Sequence, residues 1–362
     1  MNHRERMIAA LNHTEPDRVP RYGGFDLEVH EEFRRKTGHA DPAEYWDFDI
    51  AHVGFRPPDP LPDLMERFGH YFEGRDVEWL LDWDHRVYPP EWGVATRPAH
   101  LYSLVMPVSP MVDFTDASDL DNYPFPDYVG EWRHEHLEAD VARLKDEGYF
   151  VDGFIGWIFQ TGWTLRSEVK LFEDFFINPE FADALFTRIT EIRVAQAVRL
   201  ARAGVDSISM NDDIGGQNGM LISPAMWREW LKPRVQQIID AIREVNPDVY
   251  FRYHSDGNYI AVIPELIDMG VSSLRTVQPE AMNIYEVKRR YGDQITLEGT
   301  IGLQGLLRHG EPEDVRKMIK AQCEGLMPGG GWVASPANGV TPDIPWENLA
   351  MVFKALDMYA NY

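Results

Sequence analysis

From about residue 148 onward the chain repeats one unit: a short β-type run, a polar turn, an amphipathic helix, then another run. Strands separated by helices cannot pair as hairpins, so the repetition leaves a parallel sheet with its helices packed outside. The runs are "YFVDGFIG" (149–156), "VDSISM" (205–210), "DVYFRYH" (248–254), "VSSLRTV" (271–277), "QITLEGT" (294–300) and "GWVASPA" (331–337). Between them, "SPAMWREWLKPRVQQIIDAIREV" predicts one helix: Ser223 can cap, Pro224 suits the first helical position, and Trp227, Leu231, Val235, Ile238 and Ile242 form an apolar stripe. "EPEDVRKMIKAQCEGL" and "IPWENLAMVFKALDMYANY" predict two more helices. Near the start, "RVPRYGGF" (18–25) follows a helical "HRERMIAAL" and reads as a further strand. Together these elements predict an α/β chain folded as one (β/α)8 barrel over residues 1–362. Residues 26–135 break the rhythm with Trp-, Pro- and Asp-rich stretches, "PPDPLPD", "DVEWLLDWDHRVYPPEWG" and "YPFPD", and read as an elaborated insertion.

Charge narrows the partners. With 59 acidic against 35 basic side chains and a net charge of −24, the surface repels phosphate, which argues against nucleic acids and anionic membranes. No apolar run approaches the roughly 20 residues that span a bilayer, and the first residues lack the apolar core of a signal peptide. A cytoplasmic protein acting on a small-molecule substrate is expected, and a homodimer is compatible with such a chain. Cys323 stands alone, so neither a disulfide nor a thiolate-rich metal cage can form within the chain. It shares an apolar stripe with Val315, Met318, Ile319 and Leu326, which favours buried filler over a nucleophile. "GGG" at 329–331 is followed by neither Lys-Ser/Thr nor a helix start, and reads as a tight turn rather than a phosphate loop.

In a parallel barrel the strand C-termini meet on one face, where the chemistry is done. The polar residues near those ends are Arg21 and Tyr22, then Gln160 and Trp163, then Asn211, Asp212, Asp213 and Gln217. His254, Asp256 and Asn258 follow in "FRYHSDGN", then Gln278, then Glu298 and Gln304, then Asn338. Each has an ordinary alternative: a lone strand-end histidine is commonly a hydrogen-bonded structural residue, and Asp-Asp before "IGGQNG" suits a turn. The accumulation on one face argues for a site.

The strings "NHTEPDRVP", "DDIGGQNGMLISPAMWREWLKPR", "HSDGNYIAVIPELIDMGVSSLRTVQPE", "GTIGLQ" and "GGGWVASPANGVTPDIPWENL" together resemble the uroporphyrinogen decarboxylase superfamily. The resemblance implies a (β/α)8 barrel and two alternative chemistries. Decarboxylases of that superfamily carry Arg-Gln-Ala-Gly-Arg after the first strand to hold substrate carboxylates, where this chain has Arg21-Tyr22-Gly23-Gly24-Phe25. They carry Gly-His-Gly where it has Ala337-Asn338-Gly339. Corrinoid-linked methyltransferases of the superfamily bind zinc through His-x-Cys and a later Cys, where this chain has His254-Ser255-Asp256 and Asn338. The histidine is kept and both soft ligands are replaced, so any metal here should prefer oxygen.

The resemblance therefore implies a one-carbon (methyl) transferase, served by methylcobamide on a corrinoid protein and passing the methyl group to a non-thiol acceptor such as a folate. His254 and Asp256 are the expected ligands of a divalent metal or positioners of the acceptor, and Asp212 or Glu298 the expected proton carriers. Arg21, Tyr22, Asp213, Gln217, Arg252, Gln278 and Asn338 are expected to bind substrate, with Arg275 and Arg166 as further cations. The alternatives are decarboxylation of a porphyrinogen or smaller carboxylate, with Arg21 and Arg252 as anion holders, and a catalytically silent binding barrel.

Overall fold

A computed structural model describes residues 1–60, 62–79, 90–97 and 106–362. Its centre is a parallel sheet of Ile50–Val53 (β1), Phe150–Phe154 (β2), Ser207–Asn211 (β3), Tyr250–His254 (β4), Ser273–Leu274 (β5) and Thr296–Leu297 (β6), paired in that order. Two further extended segments close it. Trp332 bridges Leu297, Ala334 N–H donates to Pro20 O at 2.8 Å, and Asp49 N–H donates to Arg21 O at 2.9 Å beside the β1–β2 pair. Among the described residues the ring closes, so the barrel sheet itself presents no open edge.

The expected segments form, with two corrections. The interval 26–135 is not wholly an insertion, because it contains β1, which pairs with β2 from Ile50 opposite Phe150 to Val53 opposite Gly153. Within that interval Leu61 of "PPDPLPD" and residues 80–89 of "DVEWLLDWDHRVYPPEWG" lie outside the described residues. The single helix expected over 223–245 is two, Pro224–Trp230 and Lys232–Val245, with Leu231 between them. Pro233 is the cause, since it has no N–H to donate and its ring crowds the preceding turn. Ser223 caps as expected, accepting from Met226 N–H at 3.2 Å. The stripe stays on one side across the break: Trp227, Leu231, Val235 and Ile238 are fully buried. Each such side chain contributes about 1.5–3 kcal/mol. Cys323 is buried and its thiol is pushed up to about 12 by that burial, and Gly329, Gly330 and Gly331 all have positive φ, as a tight turn requires.

The barrel interior is ionic. Arg252 of β4 reaches Glu298 through Nε at 3.0 Å and Nη2 at 2.5 Å, and Asp152 of β2 through Nη1 at 3.0 Å. Ser207 and Ser209 donate to the two oxygens of Asp152 at 2.5 and 2.7 Å, and Ser273 donates to Glu298 at 2.5 Å. Tyr22 covers the guanidinium, whose carbon lies 5.4 Å from the ring centroid. Burial alone would raise both carboxyls, but Arg252, with His52 at Asp152 and Ser273 at Glu298, outweighs it and holds them below the ordinary carboxylate range. Asp49 is held low in the same way by His3, Arg18 and Arg6.

Two outcomes are expected. Arg252→Met leaves two buried carboxylates without their cation and should lower the urea-unfolding free energy by about 3–5 kcal/mol. Because the folded values of Asp49, Asp152 and Glu298 are depressed, their stabilisation is complete above roughly pH 4 and declines as pH falls below it. Denaturation midpoints measured from pH 6 down to 3 should fall steeply at the acid end, and less steeply in Asp49→Asn.

Candidate functional site

β3 and β4 run side by side with Asn211 opposite His254, so the residues after each strand emerge together. Asp212 N–H donates to His254 O at 2.8 Å, and Asp256 N–H donates to the Asp213 carboxylate at 2.9 Å. Ser255 Oγ accepts from Ile214 and Gly215 N–H at 3.0 and 3.3 Å. Two glycines make this approach possible. A Cβ on Gly215 would lie 2.5 Å from Asp256 O, and one on Gly257, whose φ is +75°, would lie 2.4 Å from the Gly215 carbonyl carbon.

The result is a cluster of His254, Asp213 and Asp256, whose donor atoms all lie within 4.8 Å of one another. Nε2 of His254 stands 3.5 Å from Asp213 Oδ1 and 3.6 Å from Asp256 Oδ1. Its Nδ1 is 2.8 Å from Thr276 Oγ1. That hydroxyl has one hydrogen, for which Ala337 O at 2.7 Å and Arg275 O at 2.9 Å compete, so towards His254 it accepts. The imidazole proton therefore sits on Nδ1, and the Nε2 lone pair faces two carboxyl groups. Facing acceptors of this kind need either a shared proton or a cation between them. A ligating histidine held through its other nitrogen is the arrangement that metal sites use. Asn338 completes the frame, its Nδ2 donating to Asp256 Oδ1 and Oδ2 at 2.8 and 2.9 Å.

The electrostatics agree. Burial, then Arg275, lowers the His254 imidazole to about 3, which keeps it neutral. Burial raises Asp213, and burial with repulsion from Asp213 raises Asp256. Asp212 lies beneath this cluster, fully buried, with Oδ1 accepting from Phe159 and Gln160 N–H at 2.7 and 3.2 Å at the start of the helix Phe159–Arg166. Among the described residues its Oδ2 has no partner, and burial pushes the carboxyl up to about 8.

The other expected site residues divide into supports and outliers. Gln278 Oε1 accepts from Gly257 N–H at 2.7 Å and so braces the turn of "HSDGN". Gln217 bridges to Glu280 O at 2.9 Å and ties two loops of the mouth together. Arg252, Glu298 and Tyr22 belong to the ionic interior: both oxygens of Glu298 are engaged, so neither is free to move a proton, and Arg252 has no free face to offer an anion. Arg21 turns away from the cleft and pairs with Asp357 of the last helix at 2.6 Å. Arg166 is likewise engaged, by Asp174 at 2.6 Å. Arg275 is the cation at the mouth, its Nη1 3.3 Å from Asn211 Oδ1 and its Nε without a partner. Thr276, which fixes the histidine, carried no signal in the sequence. Asp213 did, as a strand-end carboxylate two residues beyond the register partner of His254.

An eight-segment α/β barrel with a His-Asp-Asp cluster over its strand ends is an enzyme scaffold. The chain belongs to the uroporphyrinogen decarboxylase (URO-D) family, whose profile matches residues 110–359. Among curated relatives it is similar to the methylcobamide:CoM methyltransferase MtaA of Methanosarcina barkeri, 29% identical over 170 residues, or 47% of each chain. It is also similar to the uroporphyrinogen decarboxylase of Pseudoalteromonas translucida, 26% identical over 190 residues, covering 51% of this chain and 50% of that one. The chain thus spans about half the length of the curated relatives it matches. Its fold is shared with a methyltransferase from Methanosarcina mazei at a TM-score of 0.65 and 17% identity, over 99% of both chains. Among the described residues no helix is long and apolar enough to cross a membrane.

Dialysis against Mn²⁺ or Zn²⁺ followed by metal analysis should show uptake that Asp213→Asn and His254→Ala abolish and Arg21→Met leaves unchanged. Thr276→Val, which removes the support of the histidine together with the bond to Ala337 O, should weaken binding roughly 10- to 100-fold. Asp256→Cys combined with Asn338→Cys should raise zinc retention, since it presents two thiolates beside His254.

Proposed function

We propose that this protein is a cytoplasmic one-carbon transferase, receiving a methyl group from methylcobamide on a corrinoid protein and passing it to a non-thiol acceptor such as a folate. The observation that carries the reading is the convergence of His254, Asp213 and Asp256 on one point at the strand ends. A neutral nitrogen and two carboxylates suit a divalent metal of oxygen preference, and they lack the thiolate character that favours activation of a thiol. Such an ion, when bound, supplies Lewis acidity towards the acceptor.

The remaining roles fall to the chain's own groups. Asn338 holds Asp256 by both oxygens and Thr276 holds His254 by Nδ1, so these side chains meet a substrate without reorganising. Arg275, with its Nε unengaged, is the group placed to orient an anionic part of the acceptor. Of the two carboxyls expected to move a proton, Asp212 retains an unpartnered oxygen and Glu298 does not, so Asp212 takes that role.

Porphyrinogen decarboxylation is the weaker reading, because several fixed cations are needed to hold a polycarboxylate in so acidic a protein. Arg21 points to the outer helix, and Arg252 is shared by two carboxylates. Metal-loaded protein should demethylate methylcobalamin, followed by its absorbance change, with tetrahydrofolate and not with coenzyme M as acceptor. Release of carbon dioxide from uroporphyrinogen at an enzymatic rate, with no demethylation, would overturn this assignment.

A further inference from the structure

Over the ends of β1 and β2 lies a cavity of about 300 Å³, whose lining includes none of His254, Asp213 and Asp256. That volume is at the small end of ligand pockets and suits a single small molecule. Its walls are aromatic: Phe55, Trp92, Tyr128, Phe154 and Trp157. Trp157 and Phe154 form one side, edge to face at 5.1 Å. A cavity walled this way favours a flat ring, since aromatic groups gain from stacked and edge contacts.

The polar groups of the cavity specify the rest of the ligand. Glu91 is taken by Arg133, at 2.6 and 3.0 Å. Arg193 already donates from each of its nitrogens, to Trp157 O at 3.0 Å, Gln196 Oε1 at 2.9 Å and Thr161 Oγ1 at 3.1 Å, and lies over the Trp92 ring at 4.7 Å. The chain can close onto this guanidinium because residue 156 is glycine, where a Cβ would stand 2.7 Å from it. Glu91 is thus matched by Arg133, whereas Arg193 is held by uncharged acceptors, with a bond already made from each nitrogen. Gln160 differs: it lines the cavity, and its Oε1 is buried without a partner among the described residues. A buried acceptor left unpaired is costly, and the amide presents one acceptor beside one donor whichever way it is turned.

We infer that this cavity is a binding site for a flat heteroaromatic ring carrying an adjacent N–H donor and C=O acceptor, the edge of a cyclic amide, which pairs with the side chain of Gln160 while the ring packs on Trp157 and Phe154. The site is distinct from the His254 cluster, shares no side chain with it, and requires neither metal nor methyl donor.

The test uses the full chain and two probes of nearly equal shape. 2-Pyridone has the cyclic-amide edge, and N-methyl-2-pyridone has its donor blocked. Saturation-transfer NMR followed by titration should show that 2-pyridone binds roughly tenfold more tightly, the effect of one to two hydrogen bonds. Gln160→Leu should erase that preference while retaining ring binding. Phe154→Ala, at a position already 36% exposed and so safe for folding, should weaken both probes. Asp213→Asn should change neither. Equal affinity for the two probes in the unaltered protein, an undiminished preference in Gln160→Leu, or no binding at millimolar concentration would each overturn the assignment. Each would leave the methyl-transfer reading standing, since that reading is tested by demethylation and metal uptake.

Discussion

Arg252 is fully buried inside the barrel and shared by two carboxylates, and the rest of the molecule depends on that pairing. Its partners come from different strands: Asp152 from β2, with Ser207 and Ser209 of β3 bonded to it, and Glu298 just after β6, with Ser273 of β5 bonded to it. An apolar filling would contribute at least as much stability, because taking ions out of water is costly. The ionic layer contributes register. A one-residue slip of any contributing strand turns its polar partner to the opposite face and strands a charge in the interior. The strand ends above are therefore held at fixed heights, and side chains from β3 and β4 can meet to within a few ångströms.

The cluster above that floor consists of acceptors facing one another. A proton fixed on Nδ1 by Thr276 leaves Nε2 as a lone pair towards Asp213 and Asp256. Around this point neighbouring cations are directed elsewhere: Arg21 to Asp357, Arg252 into the floor, Arg166 to Asp174. A site that holds its own negative groups close together and turns its arginines away is built to receive positive charge at the centre, with Arg275 left at the rim.

Much of this was legible in the sequence. The strand–helix repetition from residue 148 announced the barrel, and "HSDGN" with the Asp212–Asp213 pair marked the strand ends at which His254, Asp213 and Asp256 come together. β1 was missed because "DIAHVGF" is short, carries a histidine and is set among Trp- and Pro-rich stretches that mask its alternation. Position near a strand end also failed to separate residues pointing along the barrel axis from those rising above its mouth, and so Arg252 and Glu298 were grouped with His254. Arg21 and Tyr22 show the same limit at a single step: adjacent residues of an extended segment face opposite ways, so Tyr22 covers Arg252 while Arg21 meets the outer helix. Thr276 acts through a hydrogen bond closed only in three dimensions, with the carbonyl of Ala337 61 positions away.

The contact between Gly215 and Gly257 separates two things that usually change together, the shape of the His254–Asp213–Asp256 cluster and its chemical preference. Backbone packing between these residues sets how close the two loops come, and no ligating side chain takes part in it. Residues 256 and 338 can therefore exchange thiolate for carboxylate or amide on an unaltered frame. The chemical character of the cluster can thus change by side-chain replacement alone, whereas a methyl group added at residue 215 would force the two loops apart whatever the side chains are.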